Sequence, residues 1–217
     1  MGKTILVRGA AAGAVALGAL ALLASCTTAP TASRADADVS ARAAAMMKAS
    51  FKPHGQATLE RLDQDETQKL CSQYAGHALP PSVVEKIQQA NLATVRYPAD
   101  GKLVGDWKNG EKIAQSGQGF QYNDDPKKPA GANCYACHQL SPKELSYGTM
   151  GPSLYRFGKL RGFTDETRKY VWTKVYNSEA LSACSNMPRF GAHHILTEDQ
   201  IRDVVALLMD PTSPVNQ

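Results

Sequence analysis

Cys134-Tyr135-Ala136-Cys137-His138 is the stretch on which the reading of this 217-residue chain turns. Two thiols three residues apart can each add to one vinyl group of the same haem, while the next residue presents an imidazole to the iron. Two other chemistries use paired cysteines. A zinc site would want a second Cys/His pair at comparable spacing, and the sequence has none. A thioredoxin-like redox pair would want a strand-to-helix setting, which Gly131-Ala132-Asn133 before the motif does not supply. The expected cofactor is therefore one covalently bound haem c, tethered by Cys134 and Cys137 with His138 on the iron.

Iron held in this way wants a sixth ligand, and the residues downstream offer Met150, Met187, His193, His194 and Met209. Met187 is the expected one. Pro188 follows it and stiffens a loop that has to hold a weak thioether bond. Met150 is expected to pack under the haem edge, and Met209, which ends an apolar helix stripe, to lie in the core. His193 and His194 are rivals that could ligate in an alternative state. Arg189 is a candidate to neutralise a propionate or to touch a partner, the other reading being a solvated loop arginine. With His138 and Met187 both on the iron, no position is open to oxygen or peroxide. The expected chemistry is outer-sphere electron transfer at a positive potential, with no catalytic side chain in this chain. A haem peroxidase would need a displaceable sixth ligand.

Outward from the motif, the N-terminus reads as an export signal. Lys3 and Arg8 precede an uncharged run from Gly9 to Leu23, too short and too rich in Ala and Gly for a membrane span. The run closes on Leu23-Ala24-Ser25-Cys26, which looks like a bacterial lipobox and makes Cys26 the expected lipidated first residue of the mature chain. The alternative is cleavage nearby, with Cys26 discarded and the protein soluble in the periplasm. Either way the compartment is oxidising, and the two cysteines outside the motif and the lipobox, Cys71 and Cys184, are most simply a disulfide. Two separate buried thiols are the competing reading. Removing Lys3 and Arg8 leaves 24 − 2 = 22 basic against 20 acidic residues, a balance with no electrostatic footprint for nucleic acid. At 43% hydrophobic content, disorder, collagen and multi-span membrane classes are excluded, leaving one globular domain with extensions.

The expected organisation is a signal peptide over 1–25, a flexible tether over 26–50, a helical N-terminal extension over 51–104 and the haem domain over 105–217. In the extension, the spacing of Leu59, Leu62, Leu70 and Tyr74 predicts one helix from Thr58 to Tyr74. Ser82-Val83-Val84-Glu85 has the form of a capping box after Pro80-Pro81. Val95–Tyr97 and Lys102–Val104 flank an Asp100-Gly101 turn and predict a small hairpin. In the haem domain, Gly110, Ile113, Ala114 and Gly117 mark a helix face with little side chain. A helix is predicted over Thr164–Asn177. Thr197–Gln200 caps another, carrying Ile201, Val204, Val205 and Leu208 up to Asp210-Pro211. The fold class is all-α, with the helix around Gly110 crossing the C-terminal helix around Val205.

Gly151-Pro152-Ser153-Leu154 is similar to the Gly-Pro-x-Leu segment of class I mono-haem cytochromes c. The resemblance implies that the Pro152 carbonyl orients the proximal imidazole. Taken with Asn133–His138, Tyr147-Gly148-Thr149, Gly158–Gly162, Tyr176-Asn177 and Met187-Pro188-Arg189-Phe190-Gly191, the chain from about Cys71 to Asn216 resembles the SoxX family. SoxX is the mono-haem subunit of the SoxAX sulfur-oxidising complex. The resemblance implies a heterodimer with a SoxA-like haem cytochrome that acts as an L-cysteine S-thiosulfotransferase on a SoxYZ carrier. It also implies transient electron exit to a soluble cytochrome c, and membrane contact only through a lipid anchor. The reactive cysteine would belong to the partner. The alternative is a stand-alone, tethered periplasmic class I cytochrome c that shuttles electrons to an oxidase. The extra residues of 51–104 are expected to serve a permanent partner or to shield the core.

Overall fold

Thr197 does what its sequence context predicts. Its side chain accepts from the Gln200 amide while the Gln200 side chain accepts from the Thr197 amide, and the helix so started, Glu198–Met209, buries Ile201 and every residue from Val204 to Met209. The computed structural model describes residues 34–217. The expected signal segment and Cys26 lie outside the described residues. Seven α-helices are present among the described residues: α1 Arg34–Ser50, α2 Glu66–Gln73, α3 Pro81–Leu92, α4 Trp107–Ser116, α5 Phe157–Arg161, α6 Asp165–Tyr176 and α7 Glu198–Met209. Short 3-10 turns precede α2, α5 and α7 and follow α7, and no strand occurs among the described residues, so the fold is all-α.

The centre of the core is the packing of α4 on α7. Asp106 caps α4 by accepting from the Lys108 amide, and Gly110 and Ala114 are its buried residues. A Cβ at Gly110 would sit 2.1 Å from the Asp203 carbonyl oxygen and 3.1 Å from Leu207 Cβ, so the two backbones meet at a distance only glycine permits. Gly110→Ala is expected to force the helices apart and to destabilise the protein by about 1–3 kcal/mol or more, read as a lower thermal midpoint. Gly117 is not on this face. It ends α4 in the left-handed region at φ 59°, where glycine carries no Cβ penalty. α6 adds Val171, Trp172 and Val175 to the same core. The C-terminal tail closes it, with buried Asn216 accepting from the Gly158 amide at 2.9 Å and donating to the Leu208 carbonyl at 3.0 Å.

The region before the haem domain departs from the sequence expectations in four places, three in the extension and one in the tether. Instead of one helix from Thr58 to Tyr74 there is a 3-10 turn, Leu59–Leu62, and then α2. Asp65 forms a full capping box with Gln68 and starts a new helix inside the apolar pattern. At α3 the cap is not Ser82–Glu85. Pro80 occupies the cap and Pro81 the first helical position, where its missing N–H costs nothing. The hairpin is absent: the turn forms, with the Gly101 amide on the Pro98 carbonyl at 3.0 Å, but its two arms do not pair. The first arm lies on α6, the Arg96 carbonyl accepting from Trp172 Nε1 at 2.8 Å, and the second runs into Gly105, whose amide donates to the Arg202 carbonyl of α7 at 3.0 Å. Finally, within the expected tether, Arg34–Ser50 is helical and exposed from residue 37 onward. Its run of Ala and Met has high helix propensity, so it need not bury surface to form a local helix.

Candidate functional site

The CxxCH segment is placed by the end of α4. The Ala132 amide donates to the Ile113 carbonyl at 2.9 Å and the Gly117 amide to the Ala132 carbonyl at 3.0 Å, which fixes the residues just before the motif. Asn133 then caps a 3-10 turn, Cys134–Ala136, its side chain accepting from the Ala136 amide. The His138 amide donates to the Cys134 carbonyl at 2.8 Å. One tight turn therefore carries both thiols and the imidazole. The sequence signal for this turn is Asn133 itself, an Asx residue directly before the first cysteine, whose capping role the CxxCH spacing alone does not announce.

Three backbone hydrogen bonds bind this turn to the following loop: the Gly148 amide to the Tyr135 carbonyl, the Gly151 amide to the Cys137 carbonyl, and the Leu154 amide to the Gln139 carbonyl, at 2.7–2.8 Å. His138 Nδ1 lies 2.7 Å from the Pro152 carbonyl oxygen. A carbonyl only accepts, so Nδ1 carries the proton and donates, which leaves the lone pair on Nε2. Gly151 is required beside the ring, because a Cβ there would sit 2.2 Å from His138 Cε1.

Cys134, Cys137, His138, Pro152 and Met187 all line one cavity of about 850 Å³, within the range of cofactor pockets. Its remaining walls are largely apolar, including Leu154, Phe157, Val171, Phe190 and Leu208, with Arg161 and Lys174 also contributing. Burial, with the Cys137 thiol next to it, pushes the Cys134 thiol up to about 12, so it sits there as a neutral thiol. Burial also lowers the Lys174 ammonium from its ordinary value, and its Nζ donates to Ser182 Oγ at 2.9 Å.

Among the other candidates for an axial role, Met150 lines the cavity but is 71% exposed, and Met209 is core at 1%. His193 and His194 do not line it. His193 stands 3.8 Å from Asp65, and burial, reinforced by Arg189, lowers its pKa. Arg189 fits none of the three roles expected of it. It is 12% exposed and paired with Asp65 Oδ2 at 2.5 Å, facing the extension and not the cavity.

The Met187 loop is held by side chains that no sequence motif announces. Ser178 Oγ donates to the Met187 carbonyl at 2.5 Å. Glu179 accepts from the Cys184 amide at 2.6 Å, and burial raises its pKa. The disulfide between Cys71 and Cys184 is present, joining α2 to this loop across 113 residues of sequence.

No protein-family model matches the chain. It is 38% identical over 156 residues to an "uncharacterized lipoprotein" of Aquifex aeolicus (strain VF5), an alignment that takes in 71% of this chain and 73% of the relative. An alignment of that length cannot be confined to the signal segment and must run through most of the helical domain, and the chain belongs to the family of this Aquifex lipoprotein.

Proposed function

We propose that the protein is a mono-haem cytochrome c of the class I fold that accepts electrons as the SoxX-like subunit of an L-cysteine S-thiosulfotransferase. The observation that carries the haem assignment is the convergence on one cavity of both CxxCH thiols, an imidazole oriented by Pro152, and the Met187 thioether. Cys134 and Cys137 are suited to add S–H across two vinyl double bonds, a step with no leaving group and no change in electron count. His138 offers Nε2 to the iron because Nδ1 is committed, and the carbonyl bond raises the ring's basicity. Met187 offers the sixth ligand. Arg161 and Lys174 supply positive charge for the two propionates. Bound haem contributes one-electron chemistry at its iron. The apolar walls keep water from that centre.

In the sulfur reaction, thiosulfate and a carrier thiol (RSH) give RS–S–SO3⁻, one proton and two electrons. The coupling takes place on the partner, a SoxA-like cytochrome that carries the reactive cysteine, and leaves the new S–S bond on the carrier thiol. This chain's part is to take the two electrons one at a time and to pass each to a soluble cytochrome c. Cys26 is proposed as the lipid anchor, supported by the lipobox and by the relative being named a lipoprotein. No helix among the described residues is long and apolar enough to cross a membrane. One observation favours the second reading, a stand-alone tethered shuttle. The extension is used inside the molecule, against the Met187 loop, so its length is no argument for a permanent partner.

The test is affinity purification from the native host's membrane and periplasmic fractions, with haems counted per complex. A stoichiometric SoxA-like cytochrome bringing further haem supports the thiosulfotransferase, whereas an abundant partnerless mono-haem protein during growth on thiosulfate supports the shuttle. At the site itself, Gly151→Ala is expected to push the imidazole off the Pro152 carbonyl. The yield of protein with attached haem, read by haem stain on a denaturing gel, should fall several-fold while expression is unchanged.

A further inference from the structure

Residues 51–104 contribute nothing to the cavity wall, yet α2 and α3 reach the Met187 loop at three points. Cys71 on α2 is bonded to Cys184. Asp65, the cap of α2, pairs with Arg189, whose Nη1 also lies 3.5 Å from Asn91 Oδ1 on α3. Asn91 Oδ1 accepts from Asn177 Nδ2 at 3.0 Å, and Asn91 Nδ2 donates to Thr67 Oγ1 at 2.9 Å. The landing points, residues 177, 184 and 189, bracket Met187.

None of these links is local. The partners are 86, 113 and 124 residues apart in sequence, so local turn geometry does not produce them. Each is also energetically committed. Asn91 and Asn177 are both buried, and losing either removes the amide-to-amide hydrogen bond that ties α3 to the end of α6 in a setting water does not reach. The Arg189 guanidinium is nearly buried, and Asp65 is the carboxylate bonded to it. Within the loop, Cys184 holds φ at +58°, a conformation that a non-glycine residue keeps only when its surroundings hold it there.

We infer that α2 and α3 are a brace for the ligand loop, and that Asp65 and Asn91 are positioning residues that keep the Met187 thioether at its post. The inference rests on Met187 being the sixth ligand, as proposed above. A thioether is a weak ligand, so its bond is only as persistent as the loop that presents it. An external ligand can bind the iron only in the fraction of molecules whose loop is open, and its apparent affinity rises in proportion to that fraction. The brace keeps the fraction small.

The experiment uses the full-length ferric holoprotein and titrates it with imidazole, following the far-red sulfur-to-iron absorption band. Asp65→Asn keeps the helix cap and removes the charge. Loss of one charge-assisted hydrogen bond should tighten apparent imidazole binding by about tenfold. Asp65→Glu should recover most of the wild-type value. Glu66→Gln, one residue on, should change nothing, since Glu66 pairs only with exposed Lys86. Asn91→Ala is the second probe, and Asp65→Asn keeps the test decisive if that variant does not fold. Far-UV circular dichroism is recorded over the same series. A wild-type protein without the far-red band would overturn both Met187 ligation and the brace. A band that is present, with Asp65→Asn binding imidazole as tightly as wild type does, would overturn the brace alone. Tightening accompanied by a parallel loss of helical signal would reduce Asp65 to a general stabiliser and also overturn it.

Discussion

Replacing Cys134 and Cys137 together by serine is expected to give a protein that carries no haem through a denaturing gel and has no cooperative thermal transition. Both thiols sit on the turn that Asn133 caps, and their cavity of about 850 Å³ is walled by α5, α6, α7 and the Met187 loop. Its apolar walls have no other cover, and leaving several large side chains there to water, at about 1.5–3 kcal/mol each, is comparable with the whole stability of about 5–15 kcal/mol of an ordinary domain. The walls would relax inward, and the α4–α7 core would lose its fixed packing while keeping helical content. Any haem that binds through His138 and Met187 alone should be extracted by denaturation. The check is a haem-stained gel beside a far-UV melting curve. A double-serine protein that melts cooperatively at the wild-type temperature without haem would mean that the cavity is not built around a large group.

The second large effect is expected from Cys71→Ser. The bridge to Cys184 closes a loop of 113 residues. In the chain-entropy model, a loop of that length restricts the unfolded chain by about 4–5 kcal/mol. For a protein of this size that corresponds to a fall in thermal midpoint of about 10–20 °C. Cys184→Ser should cost about the same, and the double variant no more than either single one, because all three remove one bond. Thermal unfolding of the four proteins with and without reductant checks this. Reductant should lower the wild-type midpoint to that of the variants and leave theirs unmoved. A wild-type midpoint insensitive to reductant, with the bond shown to be open, would mean that the bridge restrains an already compact unfolded state.

The disulfide and the ion pair of Asp65 with Arg189 converge on one segment, and this explains why the sequence expectation for Arg189 failed. Beside Met187 in sequence, the arginine looks available to the cavity or to a partner. In the fold its guanidinium is turned to the extension, where burial works to raise the Asp65 carboxyl but the Gln68 amide and Arg189 outweigh it and hold that carboxyl low. The same geometry accounts for His193, which stands beside Asp65 instead of lining the cavity.

The features that residues impose through their immediate neighbours are local. A spacing of two intervening residues places two thiols on one turn, Thr197 and Gln200 satisfy each other's amides three residues apart, and Pro188 stiffens the residue before it, all without the rest of the chain. The pairing of Cys71 with Cys184 was also legible, because two cysteines left over in an oxidising compartment have few alternatives. Which polar groups meet across long stretches of chain is set by the packed fold. Asn91 with Asn177, Asp65 with Arg189 and the Arg96 carbonyl with Trp172 have no spacing that announces them. The hairpin failed for the same reason. The Asp100-Gly101 turn forms from its own residues, whereas the arms choose partners by burial, and α6 and α7 offered more buried contact than they could offer each other. Local chemistry fixes turns and caps, and the competition for burial fixes where they are laid down.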